Sequence, residues 1–83
     1  MKRALIASGF NWLSVPAPEG PLRVCARTRY RQREQPAVVR ALPGGRIELV
    51  FDAPQRAVTP GQAAVLYDGE LLLGGGTIES VIK

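Results

Sequence analysis

Residues 51–78 read FDAPQRAVTPGQAAVLYDGELLLGGGTI, and this stretch decides the fold of the chain. Its first residues finish a strand, and its middle turns the chain. Pro54 and Pro60 lack a backbone N–H, so neither can lie in a central strand, and a Gly61 directly after Pro60 is typical of a tight turn. The chain therefore reverses direction before it enters the apolar second half of the stretch.

The second half of the stretch predicts a β-hairpin. Asp68-Gly69 separates two short apolar runs, residues 63–67 and 71–73. Asp-Gly is favoured in the type I′ turn between antiparallel strands, because both central positions of that turn need a positive φ. We therefore expect these two runs to be antiparallel neighbours.

Residues 22–31, before this stretch, alternate as a half-buried strand does. One face carries Leu22, Val24, Ala26, Thr28 and Tyr30, and the other carries Arg23, Cys25, Arg27, Arg29 and Arg31. We expect the strand to end near Tyr30 or Arg31, because a polar segment and Pro36 follow. A row of arginines then faces away from the core.

The rest of the chain supplies further strands. They are predicted over residues 4–7, 37–42, 46–52 and 77–82, with Pro43-Gly44-Gly45 as a turn between the second and the third. Phe10, Trp12 and Leu13 are expected in an irregular segment that covers one end of the core. The side chains expected to point inward are Ile47, Leu49, Phe51, Val24, Val65 and Tyr67.

Short strands separated by turn signals, with no amphipathic helix between them, predict an all-β protein. We predict a single domain over residues 1–83, a small antiparallel six-stranded β-barrel, because a closed sheet leaves no edge to pair with other chains. A two-sheet sandwich is the alternative. Gly74-Gly75-Gly76 is interpreted as a bulge or a barrel corner, since a phosphate-binding glycine loop would need a helix directly after it.

The composition argues against several kinds of chemistry. The chain has no histidine, which is the commonest general base and metal ligand, and its single cysteine, Cys25, has no partner for an internal disulfide. The carboxylates are not spaced as metal ligands are. We therefore expect no catalytic residue, no metal site and no cofactor in this chain. The lack of a secretory segment or a long apolar run predicts a soluble, cytoplasmic protein without a membrane partner.

The charge pattern favours a nucleic acid as partner. There are 11 Lys and Arg against 7 Asp and Glu, and nine of the 11 are Arg, whose planar side chain binds phosphate oxygens in pairs. The four arginines from Arg23 to Arg31 would extend over roughly 25 Å at about 3.3 Å per residue, and Arg33 would continue the row. That length suits a run of phosphates, with Glu34 the one acid nearby. The alternative is an ordinary solvated strand face.

Five segments resemble the C-terminal domain of the bacterial tRNA-specific 2-thiouridylases, a family that also carries the older name tRNA (5-methylaminomethyl-2-thiouridylate)-methyltransferases. The segments are FNWLS at 10–14, RTRYRQ at 27–32, PA at 36–37, FDAPQRAVTPGQA at 51–63 and LGGGTI at 73–78. Together they extend over nearly the whole chain, in the order of the family. The resemblance implies a β-barrel similar to the barrels of translation factors, as the C-terminal part of a larger enzyme.

What the resemblance implies about function is specific. Enzymes of this family activate the wobble uridine of tRNA with ATP and replace its 2-oxygen with sulfur carried on a cysteine. Their ATP-binding loop and reactive cysteines belong to the N-terminal domain, so this chain is expected to be non-catalytic. Its expected partners are tRNA, the N-terminal catalytic and central domains, and, for the whole enzyme, a sulfur-carrier protein.

The resemblance also assigns residues. It implies tRNA contact for Arg29, Tyr30 and Gln62. Charge and position alone add Arg31, Arg33 and Arg56 as weaker candidates. Cys25 corresponds to no catalytic cysteine of the family. The alternative role is a structural barrel that packs on the catalytic domains through an exposed apolar patch, for which Phe10, Trp12 and Leu13 are the candidates. A general single-strand binder would need more exposed aromatic residues than Tyr30 and Tyr67.

Overall fold

The computed structural model describes residues 1–29 and 32–82, which form six strands and no helix. The strands are β1 (Lys2–Trp12), β2 (Leu22–Arg27), β3 (Gln35–Leu42), β4 (Arg46–Gln55), β5 (Ala63–Asp68) and β6 (Leu71–Val81). All neighbours are antiparallel, and the order β1-β4-β3-β2-β5-β6 closes into a barrel. The predicted all-β, six-stranded antiparallel barrel is confirmed, and the two-sheet sandwich is wrong. No helix in the described part of the chain could cross a membrane.

Apolar side chains fill the inside of the barrel, and along each strand they come mostly from alternate residues. The largest fully buried side chains are Phe51, Leu5, Ile47, Leu49, Leu66, Leu73, Ile78 and Val39. β4 supplies three of them, Ile47, Leu49 and Phe51, because its sequence alternates strictly between apolar and polar residues over 46–49. The predicted inward direction of these three and of Val24 is confirmed.

β5 faces the opposite way from its prediction. Ala64 and Leu66 are buried, whereas Val65 and Tyr67 lie half-buried on the outer wall. Every residue from 63 to 67 is apolar or aromatic, so the segment has no polar side to set its phase. The register with the neighbouring strands decides it, and Tyr67 instead packs outside, with Cζ of Arg27 5.5 Å from its ring centroid.

β1 is much longer than residues 4–7, and Phe10 and Trp12 belong to it rather than to an irregular segment. The strand continues through Gly9 by means of a bulge. Ser8 pairs with Thr77 and Asn11 with Gly75, so β1 has one more residue than β6 between these pairs. Gly9 accommodates the extra residue with a φ of 57°, in the left-handed region. As predicted, the Phe10 and Trp12 rings, 4.6 Å apart, pack on the core. The prediction is wrong for Leu13, which is 58% exposed.

β6 runs without a break through its three glycines, two of which are required by close packing. A Cβ on Gly74 would overlap the carbonyl oxygen of Asn11, and one on Gly76 would lie 2.8 Å from the carbonyl oxygen of Ser8. The ring of Phe10 also lies against both glycines. The interpretation as a bulged corner is thus partly right, because the extra residue opposite Gly76 sits in β1.

The expectation that Pro54 lies outside a central strand is wrong, because β4 continues through Pro54 to Gln55, where its pairing with β1 shifts register between Lys2 and Ala4. Two turn predictions also need correction. β2 ends at Arg27 rather than near Tyr30 or Arg31, because the N–H of Thr28 donates to the Gln32 side chain (3.0 Å) instead of to a neighbouring strand. The β5–β6 hairpin forms as predicted, but Gly69 is its one residue with a positive φ (60°). Type I′ requires two such residues, so the turn is not of that type.

Candidate nucleic-acid interface

The connections between the strands emerge at the two ends of the antiparallel barrel. Loop A (residues 28–34, between β2 and β3) and loop B (residues 56–62, between β4 and β5) emerge at one end, together with the start of β1 and the end of β6. The other three connections, residues 13–21, 43–45 and 69–70, emerge at the opposite end. Of loop A, the structure describes residues 28, 29 and 32–34.

The two ends carry opposite charges. Loops A and B contain Arg29, Arg31, Arg33 and Arg56 against a single acid, Glu34, and Lys2 and Arg3 start β1 at the same end. The connections at the opposite end contain Glu19 and Glu70 and neither Lys nor Arg. The strand ends there add Asp68 and two arginines, Arg23 and Arg46, which are both ion-paired. We call the first end the basic end.

The predicted arginine row does not act as one surface. Arg23 forms an ion pair with Asp52 of β4, reached across β3. Arg27 lies 3.5 Å from the Glu34 carboxylate and stacks near the Tyr67 ring. Both guanidinium groups therefore already have partners, and the expectation that Glu34 was the only nearby acid is wrong. Beyond Arg27 the chain leaves the strand, so the row is split between wall and loop.

The loop arginines differ from those of the strand. Arg29, Arg33 and Arg56 are exposed, and within residues 1–29 and 32–82 none of them forms an ion pair. An exposed guanidinium without an acidic partner keeps all its donors for an external anion. Tyr30 and Arg31, the other two candidates of this loop, lie outside the described residues.

Gln62 lies at the end of loop B and has a structural contact of its own. Its side-chain oxygen accepts from the N–H of Thr59 at 3.2 Å, and its backbone oxygen accepts from the N–H of Ile78 at 2.8 Å. The side-chain amide thus caps the Thr59-Pro60-Gly61 turn, and the backbone carbonyl anchors the end of the turn to β6. Its Nε2 donors have no partner among the described residues, so they can serve a ligand at the basic end.

Loop A is tied to the end of β4 by two side-chain amides, that of the half-buried Gln32 and that of the buried Gln55. Gln32 Oε1 accepts from the N–H and the hydroxyl of Thr28, and Gln32 Nε2 donates to Gln55 Oε1 at 3.0 Å. Thr28 and Gln55 are the buried polar residues of the described chain. The sequence reasoning missed this connection. Its signal was available, since Gln32 and Gln55 both stand within the segments that carry the family resemblance.

Other candidate chemistry finds no site. The Cβ positions of Gly74 and Gly76 are blocked by β1 and Phe10, so these glycines do not form an open cradle for a phosphate. Cys25 lies half-buried on the outer wall of β2. In the part of the chain that the structure describes, acidic and thiol side chains form no group that could hold a metal ion.

Comparison with known proteins identifies the barrel. Residues 2–78 match the model of the aminomethyltransferase beta-barrel domain. The chain belongs to this family. It is 51% identical over 80 residues to the tRNA-specific 2-thiouridylase MnmA of Geobacillus thermodenitrificans, a match that covers 96% of the chain and 22% of the relative.

Two further relatives have the same name. The enzyme of Trichormus variabilis is 51% identical over 72 residues, covering 87% of the chain and 20% of the relative. That of Citrobacter koseri is 51% identical over 79 residues, covering 95% and 22%. The chain thus spans about a fifth of the length of the curated relatives it matches, in a C-terminal part of them.

Proposed function

We propose that this chain is the C-terminal tRNA-contacting domain of an ATP-dependent tRNA 2-thiouridylase that thiolates the wobble uridine in the cytoplasm. The observation that carries the proposal is the segregation of charge, with the exposed Arg29, Arg33 and Arg56, which form no ion pair among the described residues, at one end of the barrel. The names of the relatives support tRNA as the polyanion.

The proposed contact works by charge and shape. A guanidinium that binds a phosphate releases condensed counterions, which gives a favourable entropy at low salt and carries no base information. Arg29, Arg33 and Arg56 are the proposed phosphate ligands, and Arg31 is a further candidate on its charge alone. Gln62 adds neutral amide donors, and Tyr30 adds a ring that can stack on a base or donate a hydrogen bond.

The barrel itself is proposed to perform no chemistry. ATP activation and sulfur transfer would belong to the N-terminal and central domains of the longer enzyme, with a sulfur-carrier protein as donor. The role of this chain is then to hold the tRNA body, so that binding energy gained away from the reacting uridine fixes the geometry there.

The test is a salt titration of tRNA affinity in the full-length enzyme that carries this barrel. Arg29→Ala should weaken binding and reduce the magnitude of the salt slope by about 0.7–0.9, the value for one lost phosphate contact. Arg40→Ala is the matched control, because Arg40 is an exposed arginine on β3, away from loops A and B. Equal affinity and equal slope for wild type and Arg29→Ala would contradict the proposal.

A structural role is the second candidate, and one feature favours it. Leu13, Leu71 and Leu72 are 58%, 49% and 40% exposed and lie at the end opposite the basic end. Leu13 is held beside β6, since its N–H donates to the carbonyl oxygen of Leu73 at 2.8 Å, whereas Phe10 and Trp12 pack on the core. Such an exposed apolar patch suits packing on the catalytic domains. If this were the only role, Arg29→Ala at the basic end would leave tRNA affinity unaltered. Leu71→Ser would instead weaken the packing of the barrel on the catalytic domains.

A further inference from the structure

Gln55, the last residue of β4, is an amide buried inside the basic end of the barrel. It is 6% exposed, and both ends of its side chain are bonded. Oε1 accepts from Gln32 Nε2 at 3.0 Å, and Nε2 donates to the backbone oxygen of Ala53 at 2.9 Å. A buried amide costs free energy unless it is hydrogen-bonded, so removing one partner leaves the other unsatisfied. The hydrogen bonds of this network are therefore expected to be cooperative.

Gln32 extends this set into loop A. Its Oε1 accepts from Thr28 twice, from the backbone N–H at 3.0 Å and from the hydroxyl at 3.1 Å. Its own N–H donates to the backbone oxygen of Arg29 at 3.2 Å. Thr28 is 3% exposed, so the anchor on this side is buried too. One side chain thus holds both the beginning and the later part of loop A.

We propose that the chain of hydrogen bonds Thr28–Gln32–Gln55 is a positioning device for the phosphate-binding arginines. It fastens loop A to the strand end from which loop B begins, so that Arg29 and Arg56 are presented together rather than on two independently moving loops. This inference rests on the proposed function. Side chains and loops that are ordered before binding lose less conformational entropy on binding, which raises affinity without any new contact to the ligand.

Burial separates this role from direct contact. Gln55 and Thr28 are too buried to touch tRNA, so any effect of their loss on affinity must pass through the loops. A merely structural role would lower the stability of the barrel and leave the affinity and the salt slope of the folded protein unchanged. The two possibilities therefore predict different readouts.

The primary variant is Gln55→Leu, which keeps roughly the volume of the side chain and removes both hydrogen bonds. In the full-length enzyme it should weaken tRNA binding about threefold to tenfold, the scale of coupling between groups in one network. Thr28→Val should weaken tRNA binding to a smaller extent. Thr28→Ser keeps the hydroxyl and should bind tRNA with the affinity of the wild type. If Gln55→Leu does not fold, the Thr28 pair decides the question alone. Asn11→Ala removes an exposed amide from the opposite end and should bind as wild type.

A double-mutant cycle with Arg29→Ala decides whether the network acts through the loop arginine. Gln55→Leu should cost clearly less affinity in the Arg29→Ala background than in wild type, because the positioned group is already absent. Full additivity, or a folded Gln55→Leu enzyme and a Thr28→Val enzyme that both bind as wild type, would overturn the inference. If Arg29→Ala itself has no effect, it is the proposed tRNA contact that fails, so the two failures are distinguishable.

Discussion

At the scale of single residues, the side chains of this barrel separate into those that fill the core and those that order loops. Phe51 belongs to the first kind, 2% exposed and surrounded by the other buried side chains. Gln62 belongs to the second, with its amide oxygen on the N–H of Thr59. Changes at these two positions should therefore have different consequences.

Phe51→Ala should destabilise the barrel by about 3–5 kcal/mol, the usual range for removing a buried aromatic side chain. A chain of 83 residues has a thin core that cannot close over such a cavity. Val50→Ala is the control, since Val50 precedes Phe51, points outward and should change stability by less than about 0.5 kcal/mol. Urea unfolding followed by Trp12 fluorescence measures both, and equal midpoints for the two variants would mean that the phase of β4 is wrong.

Gln62→Ala should reduce tRNA affinity while the salt slope stays at its wild-type value, because a neutral amide displaces no counterion. Its loss also removes a cap from the turn, with a cost of about 0.5–1.5 kcal/mol in the free energy of unfolding. Comparison with Arg29→Ala in the same salt titration separates the two kinds of contact. A slope that falls as much for Gln62→Ala as for Arg29→Ala would contradict the neutral role.

At the scale of elements, β1 packs tightly against the glycines of β6. The bulge at Gly9 brings Phe10 over the glycines of β6, and the backbone of β1 lies where two of their Cβ atoms would stand. Gly75 differs, because its Cβ position is 3.4 Å from the nearest atom, the Ala64 carbonyl oxygen. Three adjacent glycines are therefore not equivalent.

Gly74→Ala and Gly76→Ala should each destabilise the barrel by about 1–3 kcal/mol, the scale of overpacking in a close-packed interior. Gly75→Ala should be nearly neutral, or slightly stabilising, because alanine restricts the unfolded chain more than glycine does. Thermal unfolding of the three variants checks the order. A Gly75→Ala protein as unstable as the other two would show that the β1–β6 contact is not the cause.

At the scale of the whole molecule, the closed barrel acts as a spacer between two unlike ends, one basic and one acidic and apolar. Three arginines of the wall form ion pairs, Arg23 with Asp52, Arg27 with Glu34 and Arg46 with Glu79, whereas Arg40, exposed on β3, forms none among the described residues. The field that an approaching polyanion meets is therefore set mainly by the loops at the basic end.

The isolated 83-residue chain should show neither ATP turnover nor thiolation of tRNA, and it should bind tRNA weakly near physiological ionic strength. Three or four phosphate contacts, each with a salt slope of about −0.7 to −0.9, leave little affinity at such salt. Assays of thiolation and of binding between low and moderate salt check both statements. Any thiolated uridine above the blank would contradict the non-catalytic role, and tight, salt-independent binding would contradict the phosphate contacts.

The sequence by itself determined the fold class, the strands that alternate, and the residues of the core in β2 and β4. These features are local, because a period of two along a half-buried strand is written in neighbouring residues. The family motifs also pointed to the loops that hold Arg29, Arg56 and Gln62. The sequence did not predict which side chains of β5 point inward, because residues 63–67 include no polar residue that would mark the outer face.

Only the tertiary structure decided which charges remain available and which loops act together. Arg23 is paired by a carboxylate 29 positions away, and Gln32 meets Gln55 across 23 positions. No local pattern encodes such contacts, because they follow from strand order and register around the closed barrel. The same closure moved the candidate interface from the face of β2 to one end of the molecule, where loops distant in sequence emerge together.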